Sequence, residues 1–172
     1  MYHKTERLDG KTHLDNLDNY GAVNAHTGSN TANGGTGMQV GGIVGFSNTT
    51  NSGIKNLIEN CDNYSDLTTS TGRVAGILAA ANTRTEIKDC ASLGATILGK
   101  SVSLSGNQTY NGVLFGYCNN AAPFSGCRVS GEIGTAADNK VALTADNYFQ
   151  FVGQRGANCG ASCNETNITF AQ

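Results

Sequence analysis

The 172-residue chain has no tryptophan, one proline and only 14% charged residues. A disordered segment of this polarity would carry more charge and more proline. A net charge of −2, without clusters of Lys or Arg, leaves no electrostatic footprint for nucleic acid. No apolar run comes near the roughly 18 residues of a membrane-spanning helix, so membrane insertion is not expected. No helix start signal is followed by a sustained 3.6-residue apolar stripe. The Ala-rich stretch from Arg73 to Ala81 is the nearest approach to one, and it falls on a repeated unit of another kind. All three histidines (His3, His13, His26) lie ahead of Val40 and the rest of the chain has none, so a Ser-His-Asp or Cys-His site would have to bring one of them against a nucleophile. The opening Met1 to Arg7 is not a secretory signal, which is the expectation for a module of a larger protein or a chain whose targeting segment has been removed.

What is present is a recurring signature. Val40-Gly41-Gly42-Ile43-Val44-Gly45 is echoed by Val74-Ala75-Gly76-Ile77-Leu78-Ala79, then by Asn111-Gly112-Val113-Leu114-Phe115-Gly116, and more weakly by Tyr148-Phe149-Gln150-Phe151-Val152-Gly153. The closing small residues Gly45, Ala79, Gly116 and Gly153 are 34, 37 and 37 positions apart. Self-similarity at such a period means a stack of equal structural units. A second column keeps the same register: Cys61, Cys90, Cys127 and Cys163 follow the closing residues, with Ile58, Ile87 and Phe124 three positions before the first three. An earlier unit, Leu14 to Val23, matches Ile58 to Leu67 with Leu17 in place of the cysteine.

The apolar runs are too short for helices of about 10 to 12 residues and suit strands. Clusters such as Ser47 to Gly53 and Asn82 to Thr85 supply corners, because Gly and Asn accept positive φ at little cost. Stacking equal units places Ile43 over Ile77, Leu114 and Phe151, and Ile58 over Ile87 and Phe124, and those ladders form the expected core. The bend after the inward column is expected at Asn19-Tyr20-Gly21 and Asn63-Tyr64-Ser65. Three longer stretches, Asn24 to Gly37, Ser101 to Tyr110 and Gly134 to Asn147, are expected as mobile loops along one edge of the stack.

The cysteine column has two readings. Its members (Cys61, Cys90, Cys127, Cys163) are buried small hydrophobes stacked on one another, or they are joined by disulfides between adjacent units. Cys159-x-x-x-Cys163 has a spacing a metal accepts, but no histidine follows it, and no metal site is assigned.

The Val-Gly-Gly-Ile-Val-Gly unit, followed by an apolar-x-x-Cys-x-Asn-Tyr-Gly/Ser segment, resembles the GLUG-type repeats of bacterial surface proteins. The resemblance runs from Leu14 to about Ile168 and is strongest over Val40 to Leu67. It implies an all-β fold, a right-handed parallel β-helix (β-solenoid) of about four to five coils, filling residues 1–172 as a single domain of a secreted or cell-surface protein. It also implies an adhesin-like rod or binding module without catalytic residues in the repeats.

Tyr20 and Tyr64 occupy equivalent positions in neighbouring units. With Asp62 and Asn63 beside them they form a candidate glycan platform, and a host glycan or protein ligand is the expected partner. Leu93 and Val129 are expected at the same position in the next units, which shortens it. An enzyme of the polysaccharide-processing kind would need converging carboxylates. The acids at hand, Asp62, Asp66, Glu86 and Asp89, with Arg73, Arg84 and Lys88 near them in sequence, read more simply as solvent-face charges. No catalytic residue and no cofactor is expected. Calcium has no repeated Gly-rich Asp motif or EF-hand spacing to bind. The expected function is a non-catalytic β-helix module, adhesin-like and glycan-binding. The alternatives are a polysaccharide lyase or hydrolase, or a passive structural stalk.

Overall fold

The computed structural model describes residues 6–8, 11–25, 38–48, 56–70, 72–82, 84–99, 111–118, 123–147, 154–155, 165–166 and 168–171. Within them the chain is all-β, with no helix. A first group of strands comprises β1 (Glu6–Leu8), β2 (Lys11–Asp15), β3 (Asp18–Asn19) and β4 (Val23–Ala25). The second comprises β5 (Met38–Gly41), β6 (Val44–Ser47), β7 (Asn56–Glu59), β8 (Asp62–Asn63) and β9 (Leu67–Thr69). The third comprises β10 (Gly72–Ala75), β11 (Leu78–Ala81), β12 (Thr85–Lys88) and β13 (Ala91–Gly99). The fourth comprises β14 (Asn111–Gly112), β15 (Phe115–Cys118), β16 (Phe124–Ser125), β17 (Arg128–Ala136) and β18 (Asn139–Ala142). The last strands are β19 (Gln154–Arg155), β20 (Glu165–Thr166) and β21 (Thr169–Phe170).

Equivalent strands of successive groups lie side by side in four sheets, and nearly all pair in parallel. The sheet β5-β10-β14 pairs Val40 with Val74 and Val74 with Asn111. The sheet β6-β11-β15-β19 pairs Val44 with Leu78 and Leu78 with Phe115. The sheet containing β2, β7, β12, β16 and β20 pairs Leu14, Ile58, Ile87 and Phe124 in one row, and β1 closes its edge in the antiparallel sense. The fourth sheet joins β3, β8, β13 and β17, with β4 and β9 alongside. Parallel strands need crossover connections, and each crossover here is the remainder of a repeat.

The turn into the fourth sheet is made at one position in each group. Asn16, Asn60, Asp89 and Gly126 all have positive φ, between 51° and 66°. Asn, Asp and Gly are the residue types that enter this region most readily. At Gly126 the need is also steric, since a Cβ there would lie 2.0 Å from the Asp89 carboxylate. The residue after each corner points inward: Leu17, Cys61, Cys90 and Cys127. The bends at Gly21 and Ser65 follow, with Asn19 Oδ1 accepting the Gly21 amide at 3.1 Å.

Cys61, Ile77, Ile87, Cys90, Val113, Leu114, Phe115, Phe124 and Cys127 are all buried in one cluster. The Ile43-Ile77-Leu114 ladder is carried by the amides of Ile43 and Ile77, which donate to the carbonyls of Ile77 and Leu114. Phe151 and the whole Tyr148 to Gly153 unit lie outside the described residues.

Three expectations are corrected. Gly134 to Asn147 is not a loop throughout: β17 continues to Ala136, turns at Ala137 and Asp138, and returns as antiparallel β18, with a Lys140–Glu132 ion pair across the hairpin. Asn24 and Ala25 belong to β4, while residues 26–37 and 101–110 are not among those described. The inward position after Cys127 belongs to Ile168 rather than Cys163, because Thr169 pairs with Arg128 and its amide donates to the Cys127 carbonyl. Cys163 lies outside the described residues.

Candidate functional site

The outward face of β3 and β8 carries the exposed tyrosines. Asp18 pairs with Asp62 and Asn19 with Asn63, so Tyr20 falls beside Tyr64. Their rings are stacked, with centroids 5.0 Å apart and planes 6° from parallel. Tyr64 donates its hydroxyl to Asp62 Oδ2 at 2.8 Å, and Tyr20 to Asp18 Oδ2 at 3.4 Å. Arg128 Nη2 also reaches Asp62 Oδ2, at 3.0 Å. Arg128 sits two strands away from Asp62 with only Ala91 between them in register, so its long side chain has a clear path. Both phenols are held above the ordinary tyrosine value. For Tyr64 the main cause is the hydroxyl bond to Asp62, and for Tyr20 it is loss of solvation, followed by the Asp18 charge. Both rings therefore stay neutral at physiological pH.

The stacking changes what the pair offers a ligand. Rings lying face to face spend those faces on each other. A sugar finds one broad aromatic surface, the outer face of Tyr20, which is 70% exposed, and beyond it only the edges and hydroxyls. Asn63 does not belong to this surface. It is fully buried, its Oδ1 accepting from Asn19 Nδ2 at 2.8 Å and its Nδ2 donating to the Ser65 carbonyl at 3.0 Å. The alternation of a strand explains this: Asp62 and Tyr64 face out, and the residue between them faces in. Val129 is also displaced from its expected place. It pairs with Ser92 and is buried, which leaves Ser130 as the neighbour of Leu93. The aromatic run ends after two residues.

The thiol column is continuous. Cys61, Cys90 and Cys127 are buried and free. Each lies near the carbonyl two residues upstream, Cys61 3.0 Å from Glu59, Cys90 3.3 Å from Lys88 and Cys127 3.5 Å from Ser125. In-register parallel strands hold equivalent side chains about 4.8 Å apart, beyond the roughly 3.5–4.5 Å between Cβ atoms that a disulfide prefers. Burial pushes the Cys127 thiol up to about 11. Cys90 is pushed higher still, first by its hydrogen bond with the Cys61 thiol and then by burial, and the same bond lowers Cys61.

Among the described residues one cluster could supply metal ligands: His13, Asp15 and Glu59, whose donor atoms lie within 4.8 Å of one another. Its members already have partners. His13 Nε2 is 2.7 Å from Glu59 Oε1, Lys88 Nζ is 3.7 Å from Glu59 Oε2, and Asn60 donates to Asp15 at 2.9 Å. The acids considered from sequence are also engaged in structural contacts. Asp66 accepts the Thr96 amide at 2.7 Å, and Asp89 lies 3.6 Å from Lys88.

Two clefts open elsewhere. One, of about 130 Å³, is lined by Leu14, Val44, Phe46 and Ile58 among others. The other, of about 250 Å³, is lined by Phe46, Arg73, Asn82 and Tyr117. Asp15 and Glu59 line neither.

Comparison of the chain with protein-family models, curated proteins and solved structures gives no match. No helix among the described residues is long and apolar enough to cross a membrane.

Proposed function

We propose that the chain is a right-handed parallel β-solenoid of about four to five coils, resembling GLUG-type repeats, that serves as a non-catalytic, adhesin-like glycan-binding module of a secreted or cell-surface protein. The successive in-register parallel pairings, the corner position shared by Asn16, Asn60, Asp89 and Gly126, and the stacked inward residues support the solenoid. The glycan reading rests on one observation, the exposed Tyr20 ring braced against Tyr64 beside the Asp18 and Asp62 carboxylates. A neutral sugar ring stacks its C–H face on an aromatic surface and gives its hydroxyls to carboxylates. With one open ring face, the site takes a single sugar unit, so binding is weak per site and gains strength only when several copies engage a polymer.

A glycan array with the wild-type protein and Tyr20→Ala tests this. Binding to a defined set of neutral glycans, lost in the variant while its melting is unchanged, is the expected result. A blank array with multivalent display would leave the passive stalk in its place. Release of oligosaccharide from a polysaccharide library, abolished by Asp15→Asn or Glu59→Gln, would favour the enzyme instead, because those carboxylates come within 4.8 Å of each other.

A further inference from the structure

The two carboxylates of the tyrosine platform are not equivalent, and the difference sharpens the glycan reading proposed above, on which this inference rests. Asp18 and Asp62 hold facing register positions on β3 and β8. Like charges on facing strands repel. Asp62 is compensated, because Arg128 Nη2 lies 3.0 Å from its Oδ2 and Tyr64 donates to the same oxygen. Asp18 is exposed and forms no ion pair among the described residues. Its one side-chain hydrogen bond is the long contact of 3.4 Å from the Tyr20 hydroxyl to Oδ2, which leaves Oδ1 without a partner. β3 is the last strand of its sheet, so no described strand lies beyond Asp18 or the outer face of Tyr20.

These parts select a cation joined to a ring. The Tyr20 hydroxyl reaches back to Asp18, so the aromatic ring leans along the strand toward that carboxylate. Residues two apart on a strand share a face and lie about 6.6–6.8 Å from one another. A pyranose stacked on the outer face of Tyr20 spans that distance with one ring substituent. A hydroxyl in that place meets the carboxylate as a neutral donor. An ammonium meets it as an opposite charge, and the electron-rich face of the phenol attracts the same cation. After loss of solvation, the Asp18 charge is what holds the Tyr20 phenol above its ordinary value, so the carboxylate already acts on the space around this ring.

We infer that the platform of Tyr20 and Asp18 prefers an amino sugar, with the C–H face of its ring on Tyr20 and its ammonium on Asp18 Oδ1. The ligand class is a hexosamine unit with a free amine, rather than its N-acetyl form or a neutral hexose.

The test is a ligand-observed NMR titration at about pH 6, where a sugar amine is charged, with D-glucosamine as the probe. D-Glucose, N-acetyl-D-glucosamine and tetramethylammonium serve as comparison ligands. The expected result is saturable millimolar binding, with glucosamine about fivefold tighter than glucose or N-acetylglucosamine. Raising the salt from about 0.05 M to about 0.5 M should erode that preference, because the pair is exposed and screened. Asp18→Asn keeps the side-chain size and an acceptor for the Tyr20 hydroxyl, and it should bring the glucosamine-to-glucose ratio to within about twofold. Tyr20→Ala should abolish binding of every sugar. Equal binding of the three sugars, all lost in Tyr20→Ala, overturns this inference and leaves the glycan reading standing. A ratio that survives Asp18→Asn, or tetramethylammonium binding more tightly than glucosamine, also overturns it. Absence of saturable binding by any sugar overturns the inference together with the reading beneath it.

Discussion

Ile77→Asp puts the stacked core to a quantitative test. Ile77 is fully buried, its backbone bonded to Val44 on one side and Leu114 on the other. Losing the isoleucine costs about 1.5–3 kcal/mol of apolar burial. The aspartate that replaces it has no polar partner among the apolar ladders, so it folds only as the neutral acid. Holding a group of ordinary pKa near 3.9 protonated at pH 7 costs about 1.4 kcal/mol for each of about three pH units, or about 4 kcal/mol. The total, about 6–7 kcal/mol, is comparable to the whole stability of an ordinary domain, which is about 5–15 kcal/mol. The variant is therefore largely unfolded at pH 7. Its folded-state carboxyl is raised above the unfolded value, so the ionisation penalty vanishes below about pH 4 and grows as pH rises. Urea titrations at pH 7 and pH 4, each referenced to the wild type, should show the deficit shrinking by about 4 kcal/mol at the lower pH. Ile77→Val, which removes one methylene, should cost only about 0.5–1.5 kcal/mol at either pH. A soluble Ile77→Asp protein with wild-type melting at pH 7, or a deficit that does not change with pH, would refute the placement of Ile77 in a closed apolar core.

Gly76→Ala should destabilise by about 3 kcal/mol, because a Cβ there would lie 2.2 Å from the Val113 carbonyl and 2.3 Å from Ser92 Oγ, and a melting drop of roughly 6–12 °C in calorimetry would show it. Gly94→Ala meets no atom within 4 Å and should cost only the roughly 1–2 kcal/mol of its positive φ, so its melting point should fall less than that of Gly76→Ala. The Cys127 thiol, raised to about 11 from an ordinary 9.0, contributes stability that is complete below pH 9 and is lost as pH rises through 11, a fall on the order of 3 kcal/mol. Denaturation midpoints measured across pH 8–11 should show that fall in the wild type and a shallower one in Cys127→Val.

The fold was legible where burial forces like residues to lie over like. The Val-Gly-Gly-Ile-Val-Gly unit and the Ile58-Ile87-Phe124 row could be aligned from sequence because each inward position must match the width of the interior in every group. The pairings of Val74 with Val40 and of Ile87 with Ile58 follow that alignment. It failed in the last group, where counting ten residues from Gly153 led to Cys163. A better signal was present. The inward residue follows a corner residue that tolerates positive φ, as in Asn16-Leu17 and Asn60-Cys61, and Asn167-Ile168 repeats that pair. Corner chemistry constrains the backbone locally, whereas distance from the preceding unit changes with every insertion. The hairpin of β17 and β18 was missed for a related reason: a Gly-, Ala- and Asp-containing segment reads as a loop until a strand beside it lends its hydrogen-bonding edge.

The sites were legible only as columns. Sequence placed Tyr20 over Tyr64, but a shared column does not say whether two rings lie side by side, facing outward, or stack on one another. That choice rests on side-chain torsions, and here the hydroxyl bonds to Asp18 and Asp62 accompany the stacked form. It decides function, since coplanar rings would make a track for a polymer and stacked rings leave one face. Arg73 and Tyr117 show the converse case. They are 44 positions apart, on different sheets and in different repeats, and nothing in the spacing joins them. Yet the residue after each closing small residue, Phe46 after Gly45, Ala80 after Ala79 and Tyr117 after Gly116, reads large, small, large in the same alignment that located the core. The break in that row is visible in the alignment, yet Ala80 itself is fully covered, with the Arg73 guanidinium packed on the neighbouring Tyr117 ring.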